Sequence, residues 1–349
     1  MVVKARSFRA QLKGSLSDFL TDENMQCSHT EEALLELVVS LSHYTEEGSL
    51  LFPQVLICDD LPTSLSLIQG TDLLQLGAEQ KNGCNVAQIL KRCAPLSQRG
   101  WITYIHRDQS ILPYGVFRAS HTPTALDVRG TIASLSEEKA EVPCMILVSW
   151  LAEKAVELVG SRSGFVHIYL SARPEDHPSP RDALEALANV VCSDVPVDFK
   201  EQTANFSRTT LFDAMKRCHG TLVAVIRKEQ AIICDLTEDG VLLQDPIDLA
   251  ELVRQHKIQN NNETLAALMA YAQLLVGMLS SDGIIILDTG YRLLGYNFFV
   301  KKSNAQTLGK VVGGARRRAY LELCKMVDED KLHACFIQSS DGGSEFYRG

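Results

Sequence analysis

Three short segments toward the C-terminus carry side chains whose types and spacing suit a polyphosphate and its metal ion. The first is Ser281-Asp282-Gly283-Ile284, where Asp282 is a lone carboxylate ahead of the apolar run Ile284-Ile285-Ile286-Leu287. A carboxylate at the mouth of a buried strand can ligate magnesium or manganese, or accept a proton from a hydroxyl. An Asp-Gly pair also suits an ordinary turn. The second segment is Gly313-Gly314-Ala315-Arg316-Arg317-Arg318, and between Thr289 and Leu321 the chain holds seven basic residues and no acidic one. Glycines let a backbone approach a ligand closely, and a helix starting near Ala315 aims free N–H groups at an anion. Successive helical residues project about 100° apart, so Arg316 and Arg318, or one of them, can grip phosphate while Arg317 faces elsewhere. Basic residues at a helix start oppose its dipole by about 0.3–1 kcal/mol, a conflict that a bound anion removes. The third segment, Ser339-Ser340-Asp341-Gly342-Gly343, offers hydroxyls, amides and one carboxylate in a turn after a strand. It suits an Asp-Gly hairpin turn equally well.

Other chemistry has weaker signals. His106-Arg107-Asp108 ends a strand with no nucleophile motif beside it, Cys218-His219 sits at a helix end, and Trp101 and Trp150 read as core. There is no Walker loop and no G-x-G-x-x-G. The ten cysteines form no C-x-x-C pair, and most lie in apolar runs such as Val55-Leu56-Ile57-Cys58. They read as buried thiols in a reducing, cytoplasmic setting rather than as zinc ligands.

The elements that must position these groups follow from apolar patterning. Two helices fill the first forty residues or so, the second capped by Thr30. Phe52 to Cys58, Trp101 to His106 and Tyr114 to Arg118 read as strands, with a helix over Asn85 to Ala94. A hairpin spans Ala155 to Leu170, a loop covers Ser171 to Pro180, and a helix runs from Arg181 to Val191. Polar residues and a proline between Ser193 and Ser207 predict a linker. Beyond it, Leu211 to Cys218 ends a helix, Gly220 to Arg227 and Ala231 to Cys234 are strands, and Asp245 to Gln255 is a helix. Asn262 to Ser280 is a helix apolar on nearly every face, hence central. Gly283 to Leu287 and Tyr291 to Val300 are strands across the Asp288-Thr289-Gly290 turn, Ala315 to Met326 a helix, and His333 to Gln338 a strand. No internal repeat is visible. The expected fold is α/β (α+β), with a mixed C-terminal sheet flanked by helices on both faces and an N-terminal α/β domain. The boundary falls at residues 204/205.

A length of 349 residues suits two domains. No run of about 18 apolar residues predicts a membrane span, and no secretory signal opens the chain. The net charge of −9 is uneven: residues 205–349 hold 17 basic and 17 acidic residues, leaving the deficit in the first 204. An acidic whole argues against nucleic acid as a partner, and a local basic patch in a neutral half argues for a small anion.

Taken together, Asp282-Gly283-Ile284, Gly314-Ala315-Arg316-Arg317-Arg318 and the turn at Ser339-Ser340-Asp341 resemble the D-G-A, G-T-R-H-R and S-E-E motifs of the diadenylate cyclase domain of bacterial cyclic di-AMP synthases. The resemblance covers roughly Asn205 to Gly349. It implies an adenine-nucleotide or cyclic-dinucleotide site built from Asp282, Gly283, Gly314, Arg316, Arg317, Arg318, Ser339, Ser340, Asp341 and Gly342. Magnesium or manganese would arrive on Asp282 with the nucleotide, and a homo-oligomer is possible because two such domains face each other in the active family. Ile284, Ala315 and Arg317 replace the family's alanine, threonine and histidine, and Ser340-Asp341 stand where paired glutamates belong. Condensation needs tighter alignment than binding does. The departures therefore imply the degenerate, sensor-like branch, which binds without cyclising. The alternatives are a working cyclase that uses Asp282, and a scaffold with a vestigial site.

Overall fold

A computed structural model of the protein describes residues 8–81, 85–119, 122–137, 142–170, 179–218, 220–230, 239–300, 314–339 and 343–349. The chain divides into two compact units. One comprises residues 1–122 and 126–175, and the other residues 123–125 and 176–349.

The N-terminal unit begins with α1 (Phe8–Asp22), α2 (Ser28–Leu41) and a minimal hairpin of β1 (Thr45–Glu46) and β2 (Ser49–Leu50). Cys27, not Thr30, takes the cap position of α2, and Thr30 is buried in its first turn. Then come β3 (Val55–Cys58), α3 (Leu61–Leu67), β4 (Gly70–Gln80), α4 (Val86–Cys93), β5 (Trp101–His106), β6 (Ile111–Ala119), α5 (Val128–Glu137), β7 (Met145–Ala152), β8 (Ala155–Gly160) and β9 (Gly164–Tyr169). The seven strands form a mixed sheet in the order β4-β6-β5-β3-β7-β8-β9. Side chains alternate across a strand. Val55 and Ile57 therefore pack with Leu16, Leu34 and Leu90 of α1, α2 and α4, while Leu56 packs with Leu61 of α3 and Ile132 of α5.

The C-terminal unit runs α6 (Pro180–Val191), α7 (Val197–Arg217), β10 (Thr221–Ile226), β11 (Val241–Asp248), α8 (Leu249–Gln259), α9 (Asn262–Leu279), β12 (Ile284–Asp288), β13 (Arg292–Phe298), α10 (Ala315–Asp328), β14 (Ala334–Gln338) and β15 (Ser344–Tyr347). Its six strands form a second mixed sheet, β11-β13-β12-β10-β14-β15. Leu222, Ala224 and Ile226 face Tyr320 and Leu323 of α10. Thr221 and Val223 face Leu184 of α6, Met215 of α7 and Leu279 of α9 around a small cavity. Helices thus cover both faces of this sheet.

Several expectations need correction. The segment read as a linker lies within α7, which buries Thr203, Asn205 and Ser207 as well as Phe206. Its polarity comes from these small buried side chains and from Asp198, Lys200, Glu201 and Gln202, which are not buried. The unit boundary accordingly falls at 175/176, ahead of α6 and α7. The helix expected from Asp245 begins at Leu249, capped by Asp248, whose carboxylate accepts from the Glu251 amide at 2.8 Å. Residues 245–248 complete β11, an edge strand, where Pro246 needs no ladder partner. Helix α9 is not central: Leu268, Leu275 and Leu279 are buried, but Met269, Tyr271 and Leu274 lie exposed. The strands β4 and β7 and the helices α3 and α5 had no sequence counterpart. The strand expected at 231–234 and most of the loop at 171–180 lie outside the described residues.

The two units share one topology. In each, two helices precede a first strand at the sheet's interior (β3 or β10), the second strand goes to an edge (β4 or β11), and the third returns parallel to the first (β5 or β12). The next three pair antiparallel in the same order, and the N-terminal sheet adds β9 beyond β8. Aligning Leu56 with Ala224 carries the registers along, because Leu56 pairs with Tyr104 and Leu147, and Ala224 with Ile286 and Cys335. Tyr104 then leads to Gly115 and Ile286 to Gly295. A Cβ at Gly115 would land on the Leu74 carbonyl of β4, and one at Gly295 on the Val241 carbonyl of β11. Both edge strands lose register against their neighbour, β4 between Thr71 and Leu74 and again between Gln75 and Gly77, β11 between Leu242 and Ile247. An internal repeat is therefore present in the fold, although none is visible in the sequence.

Candidate functional site

Four chain segments converge at the end of the C-terminal sheet where β10 and β12 begin and β14 finishes. Strand β12 is entered through Asp282-Gly283. Gly283 has φ +103°, and a Cβ on it would lie 2.8 Å from Asn297 Cα, so this turn is seated on β13 and needs glycine. Asp282, 76% exposed, points its carboxylate outward. Its amide neighbour, Gly283 N–H, donates to the Asp282 carboxylate at 3.2 Å.

Helix α10 brings the arginines. Tyr320 and Leu323 anchor it in the core, and it opens at Gly314 with no side-chain cap and no acid in its first turn. Among the described residues no side chain caps its first amides, which water or a ligand can satisfy. Arg316 reaches back to Asp282, Nη2 to Oδ1 3.7 Å, an ion pair longer than a hydrogen bond. Exposed pairs of this kind contribute about 0–1 kcal/mol, so little holds the two groups against an incoming anion. Arg317 turns away: its guanidinium bonds the Glu345 carboxylate of β15 and lies 5.4 Å from the centre of the Tyr320 ring. Arg318 is exposed. The three arginines thus diverge as helical geometry requires.

Gly220, at the entry to β10, forms the floor. It has φ +117°, and a Cβ there would lie 2.8 Å from Arg316 Nη1 and 2.9 Å from the Gln338 carbonyl oxygen. Sequence reasoning missed it, although a glycine between a helix end and a buried strand is a signal of close approach. Beside it, Cys218 Sγ lies 3.3 Å from Ser280 Oγ. Burial raises this thiol, opposed by the Ser280 hydrogen bond and the Arg316 charge.

Ser339 follows Gln338, and both its amide and its hydroxyl donate to the Gly343 carbonyl, at 2.8 and 3.0 Å. Its hydroxyl serves the hairpin turn. Gly313, Ser340, Asp341 and Gly342 lie outside the described residues. Behind the corner, on the sheet face covered by α6, α7 and α9, Thr221, Gln338 and Ser344 stand abreast on β10, β14 and β15. All three are buried, and Thr221 Oγ1, Gln338 Oε1 and Ser344 Oγ find no hydrogen-bond partner among the described residues. Buried polar atoms without partners are costly, and such sites are where water or a ligand group is taken up.

Among the described residues no three His, Cys, Asp or Glu side chains cluster to hold a metal ion. A cation at Asp282 would therefore need further oxygen ligands from the molecule it accompanies. No described helix is long and apolar enough to cross a membrane. Ligand crevices of open α/β sheets usually lie at the carboxyl ends of parallel strands, whereas this corner lies at the amino ends of β10 and β12. Neither a family model, nor a curated protein, nor a solved structure matches the chain.

Proposed function

We propose that the C-terminal unit is a nucleotide-binding sensor module, which takes an adenine nucleotide or a cyclic dinucleotide at the Gly220–Asp282–Arg316 corner. The observation that supports this best is the meeting of Asp282 and Arg316, from separate segments, at 3.7 Å in front of an uncapped helix start. Arg316 would take phosphate oxygens with its planar fork of donors, joined by the first amides of α10. Arg318, on the exposed side of the same turn, would add long-range attraction. Asp282 would meet the ribose or a magnesium or manganese ion whose other ligands are phosphate oxygens and water. The adenine base enters through the motif resemblance alone.

The test is thermal shift and calorimetric titration with Mg-ATP and with cyclic di-AMP. The intact chain should melt higher with one of them, and Arg316→Ala should lose the response. No shift with either ligand would remove the proposal.

The exposed carboxylate beside Arg316 also suits catalysis, so a working cyclase is the second reading. Incubation with ATP and Mn²⁺ followed by chromatography decides it. Cyclic product that disappears in Asp282→Asn would establish turnover.

A further inference from the structure

The shared topology lets each residue of the candidate corner be matched to its counterpart in the N-terminal unit. The register that aligns Leu56 with Ala224 also aligns Ser149 with Ile337. Their partners across the next ladder, Glu157 and Glu345, therefore coincide. Glu345 is bonded by Arg317 near the start of α10. Glu157, fully buried, is paired with Arg129 near the start of α5, Nη1 to Oε1 3.5 Å. The same arginine–glutamate clasp thus ties the same helix start to the same strand in both units. It sets Arg129 against Arg317, and so Val128 against Arg316.

With that alignment Arg316 and Asp282 give way to uncharged residues. Val128, buried, replaces Arg316. Gly100 replaces Asp282, since Trp101 precedes Ile102 as Gly283 precedes Ile284. Phe52 stands where Gly220 gives Arg316 room. The polar row of Thr221, Gln338 and Ser344 becomes Pro53, Trp150 and Val156, with Trp150 opposite Val156 as Gln338 is opposite Ser344. Phe52 and Trp150 pack edge to face at 5.0 Å between ring centres.

We infer that the chain is a fused duplicate of one fold in which only the C-terminal copy offers an anion corner. Each chain therefore takes one nucleotide, and Arg317 is a positioning residue rather than a ligand contact. The stoichiometry rests on the proposed nucleotide reading; the clasp does not.

Two measurements on the full chain separate the two. Calorimetry with whichever probe binds, Mg-ATP or cyclic di-AMP, should give one equivalent per chain for the wild type, with an affinity that falls about 10–100-fold in Arg316→Ala. Two equivalents, or an undiminished affinity in Arg316→Ala, would overturn the inference. Independently, Glu157→Gln and Glu345→Gln should each lower the melting temperature, the buried Glu157 by roughly 6–20 °C and the half-exposed Glu345 by less. If either variant melts like the wild type, the shared clasp is overturned, whether or not a nucleotide binds. If neither probe binds while both variants melt lower, the nucleotide reading falls and the duplicated architecture stands.

Discussion

The two sheets of this protein are laid out alike, yet they end differently at one corner. In the C-terminal unit that corner holds Asp282 and Arg316, and the sheet face behind it carries three buried polar side chains with unpaired atoms. In the N-terminal unit it holds Val128, Pro53, Val156 and the edge-to-face pair of Phe52 and Trp150. What both units keep is the arginine–glutamate clasp and a glycine beneath the edge strand. The difference separates two kinds of requirement. The clasp and the glycine are demands of the fold, since they persist where no ligand group stands near. The aspartate, Arg316 and the glycine under it are demands of the corner, since they occur in one unit alone.

The comparison can be broken or sharpened by experiment. The largest effect is expected at Glu157→Gln. It leaves Arg129, with an 11% exposed side chain, facing a neutral partner, and breaking a buried pair costs about 3–5 kcal/mol. Denaturant unfolding measures it, and a loss below that for Glu345→Gln would reverse the order that burial dictates. Next are Gly115→Ala and Gly295→Ala, each of which drives a methyl group into an edge-strand carbonyl. Each should cost about 1–3 kcal/mol, and a loss confined to one of them would break the equivalence of β4 and β11.

Arg316→Ala should weaken nucleotide binding by about 10–100-fold, the worth of a charge-assisted hydrogen bond of roughly 1.5–3 kcal/mol. It should scarcely change the unfolding midpoint, because its pair with Asp282 is exposed. A large loss of stability in this variant would make Arg316 a residue of the fold. The smallest effect is one of pH and should be common to both units. Burial pushes the Cys58 thiol in one unit and the Cys192 thiol in the other from 9.0 up to about 12. The unfolded chain ionises first, so each thiol's contribution is whole below pH 9 and is lost as pH rises toward 12. Unfolding followed from pH 8 to 10.5 should show a decline that Cys58→Ala and Cys192→Ala each reduce.

Much of the C-terminal unit was legible because its strands are continuous apolar runs closed by turn residues. Gly220 to Arg227, Gly283 to Leu287 and His333 to Gln338 all emerged as strands, and Ala315 opened a helix as its glycines suggested. The nearness of Asp282 to Arg316 followed from that layout. Helix α7 was obscured by Lys200, Glu201, Gln202 and Asn205, although Pro196 at its cap position is itself a start signal. Strand β4 was obscured because nearly all of it is exposed, so no alternation marks it. The duplication was illegible because a shared register asks only for size and polarity at each point. Val55 answers to Val223 and Ile57 to Val225, but Leu56 answers to Ala224 and Cys58 to Ile226. What survives in letters, Val55 with Val223, Ile102 with Ile284, one glycine and one arginine–glutamate pair, is too sparse to show as a repeat.

The outer strands β4 and β11 expose Leu73, Leu74, Val241 and Leu242, an invitation to intermolecular strand addition and so to aggregation. Each strand wanders out of step with its neighbour, twice in β4 and once in β11, where Pro246 also withholds an amide. A second chain approaching either rim meets a kinked template with gaps in its ladder. The irregular rims therefore let the protein carry leucines at its borders and still resist fibrous self-assembly.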